Sequence, residues 1–417
     1  MSREKYDVIV AGGGSAGVAA AIASAEAGAR TLLIEKYNCL GGASTMRNVN
    51  TYCGLYTLGD KPKIVVGGVG ARVLSELTRL KAVTGPHRHR GVYVVFDPET
   101  VKMVLDKLCQ QAGVEVMLGC FVTGAKRQEN RVTSVLVADH GGQQTFHAAA
   151  FVDCTGDGDL LFQSGAETRY GNGEHVNLGS LGTRFGGIPA SVVVAQPDIV
   201  SAVKRLKLDK GQVTKDKSVA TRLPFSHDLV CYLASADYDP RDAGSMTAAE
   251  QDGRRQAWLY LDAIRTIPGC EGAYLVSTGP EFGTRESRHL QSKRMFLWTD
   301  VIDGHKFDDC IALGAWGAEW HSREDYSSSF DIQPGGSAYQ IPMSCLMSRN
   351  TPNLFAAGRL ADGDRLGGAA IRVMGTAFAT GQASGAAAAQ VAEHGDVLSI
   401  DMLRKTLISQ GAILETD

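Results

Sequence analysis

Tyr6–Glu35 constrains the fold more than any other stretch of the chain. Tyr6–Ala11 (YDVIVA) is a short apolar run rich in β-branched residues, the pattern of a strand buried in a parallel sheet. It leads directly into GGGSAG, where Gly12, Gly14 and Gly17 satisfy G-x-G-x-x-G. VAAAIASAEAG then predicts a helix that stops at Gly28, and TLLIEK a second buried strand closing on Glu35. A strand, a glycine turn, a helix and an acid at this distance form the dinucleotide-binding βαβ unit. Gly12 permits the tight turn, Gly14 lets backbone approach a pyrophosphate, and Gly17 lets helix and strand pack closely. The helix start presents unpaired N–H groups and a positive dipole end to the diphosphate. Glu35 can accept hydrogen bonds from both ribose hydroxyls and would repel a 2′-phosphate.

A second segment, KIVVGGVGARVLSEL at 63–77, also reads strand, glycines, helix. It has Gly68 and Gly70 but Val73 in the third glycine position, and no acid closes a following strand. It is read as a helix start whose amides face the cofactor or substrate. No other good G-x-G-x-x-G occurs, so no dedicated NAD(P)H domain is expected.

Composition excludes several classes. A net charge of −3 gives no electrostatic case for nucleic acid or an anionic membrane. No stretch of membrane-spanning length lacks charges or many glycines, so no membrane insertion is expected. The nine cysteines are scattered without a CxxC pair, which suggests neither a disulfide framework nor a thiol-held metal. They fit a reducing compartment, MSREKYDVIV carries no signal-length apolar run, and a cytoplasmic enzyme is expected. Glycine is in excess at 49 residues, and the excess concentrates where backbone must approach something closely.

Further along, Asp97–Gly113 predicts an amphipathic helix, followed by strand, strand, a hairpin at Gly141–Gly142, and a strand ending AAFVDC. That strand runs into Thr155-Gly156-Asp157-Gly158-Asp159. Near the end lies GRLADGDRLGGAAIRVMGTAFATGQASGAAAA, 358–389, unusually rich in Gly and Ala.

A strand ending D-x-T-G-D-G-D resembles the second cofactor motif of flavoproteins with the glutathione-reductase type of fold. NLFAAGR at 353–359 then resembles their third motif. The order of motifs is similar to the bacterial FAD-dependent oxidoreductase family: LGG at 40–42, GTRESR at 283–288, FDDCIALGAWGAEWH at 307–321, YQIPMSCL at 339–346 and AGR…IRVMGTAFATGQASG at 357–385. The match covers nearly the whole chain, with Ser191–Pro268 its least familiar part. The resemblance implies an α/β architecture, with a discontinuous Rossmann-like FAD-binding domain (1–160 and 341–417) carrying a β-hairpin extension near 115–150. An α+β substrate cap (161–340) is inserted into it.

FAD, bound non-covalently, is the cofactor it implies. Gly12, Gly14, Ser15 and Gly17 would hold the pyrophosphate, and Glu35 the adenosine ribose. Lys36 and Gly42 would line the path, with Val122 at adenine and Thr155-Gly156 closing over it. Gly358, Arg359 and Asp362 would meet the ribityl chain, and Gly375–Thr376 the pyrimidine end of the flavin. Ala379, Gly381, Ala383 and Gly385 would let the last long helix pack on the first dinucleotide-binding unit. Cys39 is positioned only by its neighbours for a covalent tether, and Cys154 reads as packing.

Four side chains are candidates for chemistry. His321 lies two residues after Glu319, which replaces the shorter aspartate of the family pattern; in a strand both share one face, an acid orienting an imidazole base. Arg285, in GTRESR with Glu286 and Arg288, either holds a substrate carboxylate, stabilises the reduced ring, or joins cap to base in a salt bridge. Arg372 is a charge in a Gly/Ala-rich stretch, costly without a partner, and is expected in the active site. His87–Arg90 (HRHR) reads as a solvated loop or an anion contact, and Trp316 and Trp320 as core. The expected activity is oxidation of a small polar organic substrate by hydride transfer to flavin N5, with oxygen or another acceptor reoxidising the flavin. Reduction of an activated double bond, with Arg285 delivering the proton, is the alternative, beside an isomerase or lyase without net redox or an electron-transfer subunit. A homodimer is expected on general grounds only.

Overall fold

The computed structural model describes residues 5–173 and 176–416; Met1–Glu4 of the N-terminal segment read above lie outside them. The central sheet has strands β1 (Lys5–Ala11), β2 (Thr31–Glu35), β3 (Glu115–Leu118), β4 (Phe121–Gln128), β5 (Arg131–Asp139), β6 (Gly142–Asp153) and β7 (Leu354–Ala356). The order β3-β2-β1-β6-β7 is parallel throughout. The first half of β6 instead belongs to an antiparallel meander with β5 and β4. One long strand thus joins a Rossmann-like sheet to the hairpin extension. The hairpin at Gly141–Gly142 is present, with Gly142 at φ 108. A second turn, at Glu129–Asn130, separates β4 from β5; it lacks glycine, and Glu129 itself takes the left-handed conformation at φ 54.

Helix α1 (Ser15–Glu26) follows β1, and nearly all of it is buried. It is covered by α2 (Met374–His394), whose glycines set the distance. A Cβ on Gly381 would lie 2.1 Å from the Ala16 carbonyl oxygen, and one on Gly385 2.0 Å from that of Ala20. The Gly/Ala-rich segment is therefore a close helix–helix seam. Strands Cys310–Gly314 and Tyr339–Pro342, antiparallel to each other, also contribute Ile311, Leu313 and Ile341 to this first core.

A second core, within the span expected for the cap, runs from Leu181 to Phe282 and includes Phe185, Leu229 and Tyr260. It combines a four-stranded antiparallel sheet, ordered Ala220–Arg222, Leu229–Cys231, Thr183–Gly186, Tyr274–Thr278, with helices Gln196–Arg205 and Ala243–Arg265. That core is shorter than the 161–340 span expected for the cap, because residues 296–341 pack with the first core through the all-buried strand Cys310–Gly314.

The 63–77 segment forms a helix, Gly68–Arg79, but its expected strand reduces to one bridge between Ile64 and Tyr56. Its starting amides do not face a ligand: Gly68 N donates to the Gly411 carbonyl and Val69 N to Gln382 Oε1 at 3.1 Å. Among the described residues no helix is long and apolar enough to cross a membrane.

Candidate functional site

The carboxyl ends of β1, β2, β6 and β7 lie side by side in the sheet, so the residues following each strand converge: Gly12–Gly14, Glu35–Lys36, Thr155–Gly156 and Gly358–Arg359. They border a cavity of about 870 Å³ that runs from the sheet to the cap. Glycine is required where the turns meet. Gly12 has φ +94, and a Cβ there would lie 2.4 Å from the Cys154 carbonyl oxygen. A Cβ on Gly17 would lie 1.6 Å from the Gly12 oxygen, so Gly17 serves packing and does not line the cavity. Gly14 and Gly42 face one another across the cavity wall, where a Cβ on Gly42 would come within 3.0 Å of Gly14 Cα.

Glu35 is buried and accepts from Gly13 N at 2.5 Å and Tyr37 N at 2.9 Å. Burial raises its carboxyl above the ordinary value, against those two donors. The Thr155 loop is built on Asp153, which accepts from Thr155 N, Thr155 Oγ1 and Leu161 N. The Thr155 hydroxyl in turn accepts from Gly158 N and Asp159 N, so it is spent inside the loop. Val122 lines the far end of the cavity.

A buried ion-pair network forms the wall between these motifs and the cap. Arg47 Nε meets Glu281 at 2.6 Å, Arg47 also faces Asp157 at 3.6 Å, and its Nη1 donates to Thr284 Oγ1 at 2.8 Å. Lys36 reaches Glu281 at 3.4 Å, and Arg359 reaches Asp157 at 3.3 Å. Burial alone would raise the Glu281 carboxyl, but Arg47 and Lys36 outweigh it and hold it down at about 2. Arg47, Lys36 and Arg359 thus stand in this wall together with the carboxylates Glu281, Asp157, Asp159 and Glu35. Ser15 Oγ and Arg359 Nη1 are buried there with no hydrogen-bond partner among the described residues.

Besides Gly17, three expected cofactor residues do not line the cavity. Asp362 is turned away, its carboxylate taken by Arg169 Nη2 at 2.9 Å and by Ser292 N and Oγ at 3.0 and 2.8 Å. Gly375 sits against the Cys53–Leu55 backbone, where a Cβ would lie 2.3 Å from the Cys53 oxygen, and Thr376 Oγ1 faces Gly54. The start of α2 still borders the cavity, through Val373, Met374 and Ala377.

At the cap end, His321, Glu319, Arg285 and Arg372 all line the same cavity. Strand Ala318–His321 places the two acid–base side chains on one face, with Glu319 Oε1 3.5 Å from His321 Nε2. His321 Nδ1 is buried without a partner among the described residues. Burial, then Arg285, push the imidazole down to about 3 despite Glu319, so it is neutral at pH 7. Burial would raise Glu319, but His321, Arg372 and Arg285 hold it below the ordinary carboxylate range. Arg285 donates to Ser180 Oγ at 2.8 Å and to the Leu178 carbonyl; burial and Arg372 push its guanidinium down to about 10. Its neighbours are structural: Glu286 is held by Asn177 and His289, and Arg288 donates to the Asp157 carbonyl. Arg372 Nη2 donates to the Glu319 carbonyl at 3.2 Å, while its Nε is buried and unpartnered among the described residues.

Two cavity residues went unnoticed in the sequence. Arg47 is the lone charge between Tyr37 and Gly59, the same signal that singled out Arg372. Lys215 lies in a polar, lysine-rich stretch that looks like solvated surface, and nothing local distinguishes it. Of HRHR, Arg88 holds the Leu58 carbonyl, while His89 and Arg90 border the cavity. Trp316 and Trp320 are buried, Trp316 also touching the cavity. Cys39 does not line it.

A family model described as FAD dependent oxidoreductase matches residues 7–407. The chain belongs to the FAD-dependent oxidoreductase family. FAD is its cofactor, and the cavity fits it: a glycine cradle at Gly14 and Gly42, the cationic side chains Lys36, Arg47 and Arg359 in the lining, and unpartnered Ser15 and Arg359 donors. A geranylgeranyl bacteriochlorophyll reductase-like protein from Thermoplasma acidophilum shares the fold, with a TM-score of 0.51 and 13% identity over 98% of this chain and 84% of that one. BexE, described in connection with oxidation during BE-7585A biosynthesis, has a TM-score of 0.50 and 14% identity over 97% of this chain and 66% of its own. No curated protein sequence matches this FAD-dependent oxidoreductase.

Proposed function

We propose that this enzyme oxidises a small polar organic molecule, with His321 as the proton acceptor and Glu319 as the residue that positions it. The observation that carries this reading is His321, neutral and paired with Glu319, in the lining of the cavity that also gathers the FAD-holding motifs. When bound, FAD supplies a two-electron acceptor that takes hydride at N5. Glu319, kept ionised, draws the Nε2 proton toward itself and leaves Nδ1, which has no partner among the described residues, as the basic atom of the ring. An imidazolium formed on proton transfer is stabilised by the same carboxylate. Oxygen or a separate acceptor completes the cycle.

Reduction of an activated double bond is the second reading, favoured by the lowered proton affinity of Arg285 at the same end of the cavity.

Anaerobic mixing of the purified holoenzyme with 2-hydroxy acids, amino acids, amines and polyols, following the flavin absorbance band, tests the first reading. Bleaching with one class, slowed at least about 100-fold by His321→Ala, is the expected result. Turnover without bleaching at any stage refutes oxidation. Recovery of colour when the dithionite-reduced enzyme meets an alkenoic acid supports the second reading.

A further inference from the structure

The cap end of the cavity holds more positive charge than it needs for its own structure. Arg285 and Arg372 face Glu319, and Lys215 joins them with no ion pair and no side-chain hydrogen bond among the described residues. His321 is neutral, and Tyr232 and Cys53, which also line this end, are held neutral by burial. Asp216, Lys217 and Asp325 border the cavity too, but they are exposed at its rim. Two inward guanidinium groups against one inward carboxylate, with Lys215 beside them able to take up a proton, leave an uncompensated charge in a half-closed space, which is costly unless a ligand anion completes it.

The placement of Lys215 is built, although the chain around it is irregular and largely exposed. Tyr260, buried on the helix Ala243–Arg265, clasps the Lys215 backbone from both sides: its hydroxyl accepts from Lys215 N at 3.1 Å and donates to Lys215 O at 2.6 Å. Next to it, Thr214 N donates to Gln256 Oε1 at 3.0 Å and the Thr214 hydroxyl to the Ser235 carbonyl at 2.5 Å. The cap helix therefore straps Thr214–Lys215 down and delivers this lysine to the cavity. Arg285 is mounted in a similar way, its backbone N donating to Tyr238 Oη at 3.1 Å.

We propose that Lys215, Arg285 and Arg372 together seat a carboxylate of the substrate, next to the Glu319–His321 pair. This rests on the oxidative reading above and adds a substrate class to it: an organic acid, held so that its reacting carbon faces His321. Two forked guanidinium groups suit a planar carboxylate, and the ammonium supplies a point charge. Burial and the nearby Arg285 push the Lys215 ammonium down to about 7. A bound carboxylate reverses that, so binding near pH 8 takes up close to one proton.

The test uses the purified holoenzyme and the non-reducing probes oxalate and succinate, with succinamide and inorganic phosphate as comparisons. Binding is read from the flavin absorbance change, and proton uptake from calorimetry in buffers of different ionisation enthalpy. Expected are saturable binding of a carboxylate with proton uptake at pH 8, no binding of succinamide, and a Kd raised at least about 10-fold by Lys215→Met or Arg285→Met. Lys207→Met, exposed and outside the cavity, should leave Kd within about twofold. The flavin midpoint potential should stay unchanged in Lys215→Met, which separates a substrate seat from a role in stabilising the reduced ring. Unaltered carboxylate Kd in folded, yellow variants overturns the proposal, as does equal binding of succinamide, or binding of phosphate alone. Flavin bleaching by neutral compounds alone would refute the carboxylate seat and leave the oxidation reading intact. Carboxylate binding without bleaching by any compound would do the reverse.

Discussion

Gly385→Ala should destabilise this enzyme, although the same exchange in a helix interior normally stabilises by about 1 kcal/mol. The new Cβ would stand 2.0 Å from the Ala20 carbonyl oxygen and 2.6 Å from its carbon and Cα. Ordinary contact begins near 3.4 Å, so α2 must move off α1 by roughly 1.4 Å. Nothing flexible can yield, because the neighbours are helix backbone. Overpacking of this kind costs about 1–3 kcal/mol, and a clash with helix backbone falls at the upper end, so a net loss of up to about 2 kcal/mol remains after the propensity gain. The displacement also shifts α1, whose first residues hold Ser15 at the cofactor, so the apoprotein should rebind FAD several-fold more weakly. Thermal unfolding of the apo- and holoprotein, with FAD titration, measures both. Gly244→Ala is the control: it lies exposed in the first turn of Ala243–Arg265 with only the Asp242 side chain near its Cβ, at 3.4 Å or beyond, and should raise stability. A Gly385→Ala protein as stable as wild type, with unchanged FAD affinity, would show that the helices are not held at the distance described.

Other expectations follow from the buried charges. Glu35→Ala removes the acceptor of the Gly13 and Tyr37 amides at the ribose position, and should weaken FAD binding about 10-fold or more in a fluorescence titration. Arg47→Met leaves Glu281 and Asp157 buried with less compensation, and should cost about 3–5 kcal/mol in chemical denaturation. Glu281 is depressed to about 2 in the folded state, so its contribution is fully present above pH 4.5 and is lost as pH falls toward 2. Glu281→Gln should therefore be less stable at neutral pH and show a shallower loss of stability on acidification. Lys215 has the opposite sign: a lysine lowered to about 7 makes stability rise with pH from 7 toward 10, and Lys215→Met should flatten that rise.

The cofactor half was legible because its constraints are local. Gly12, Glu35, Thr155 and Gly358 each sit at the end of a strand that betrays itself by apolar runs, and sheet order then brings the four together. Asp362 misled because an acid next to a cofactor motif looks the same whether it faces the ligand or, as here, a partner arginine and serine. Gly375 and Thr376 misled similarly: the small residues at that helix start admit the Cys53–Gly54 backbone. Lys215 was invisible since its burial depends on Tyr260 and Gln256, some 40 residues away on another element. Arg47, in contrast, could have been found by asking which uncharged stretches contain a single charge.

The position of β7 has a consequence for how the chain is made. Leu354–Ala356 completes the parallel sheet against β6, and Met374–His394 covers α1, yet the strand emerges about two hundred residues after β6 and the helix about three hundred and sixty after α1. During synthesis the first βαβ unit therefore waits with an uncovered alanine-rich helix and an open sheet edge, while the second core, Leu181 to Phe282, is already able to collapse. The nascent chain is most exposed to aggregation in that interval, and capture of the coenzyme belongs to the last act of biogenesis.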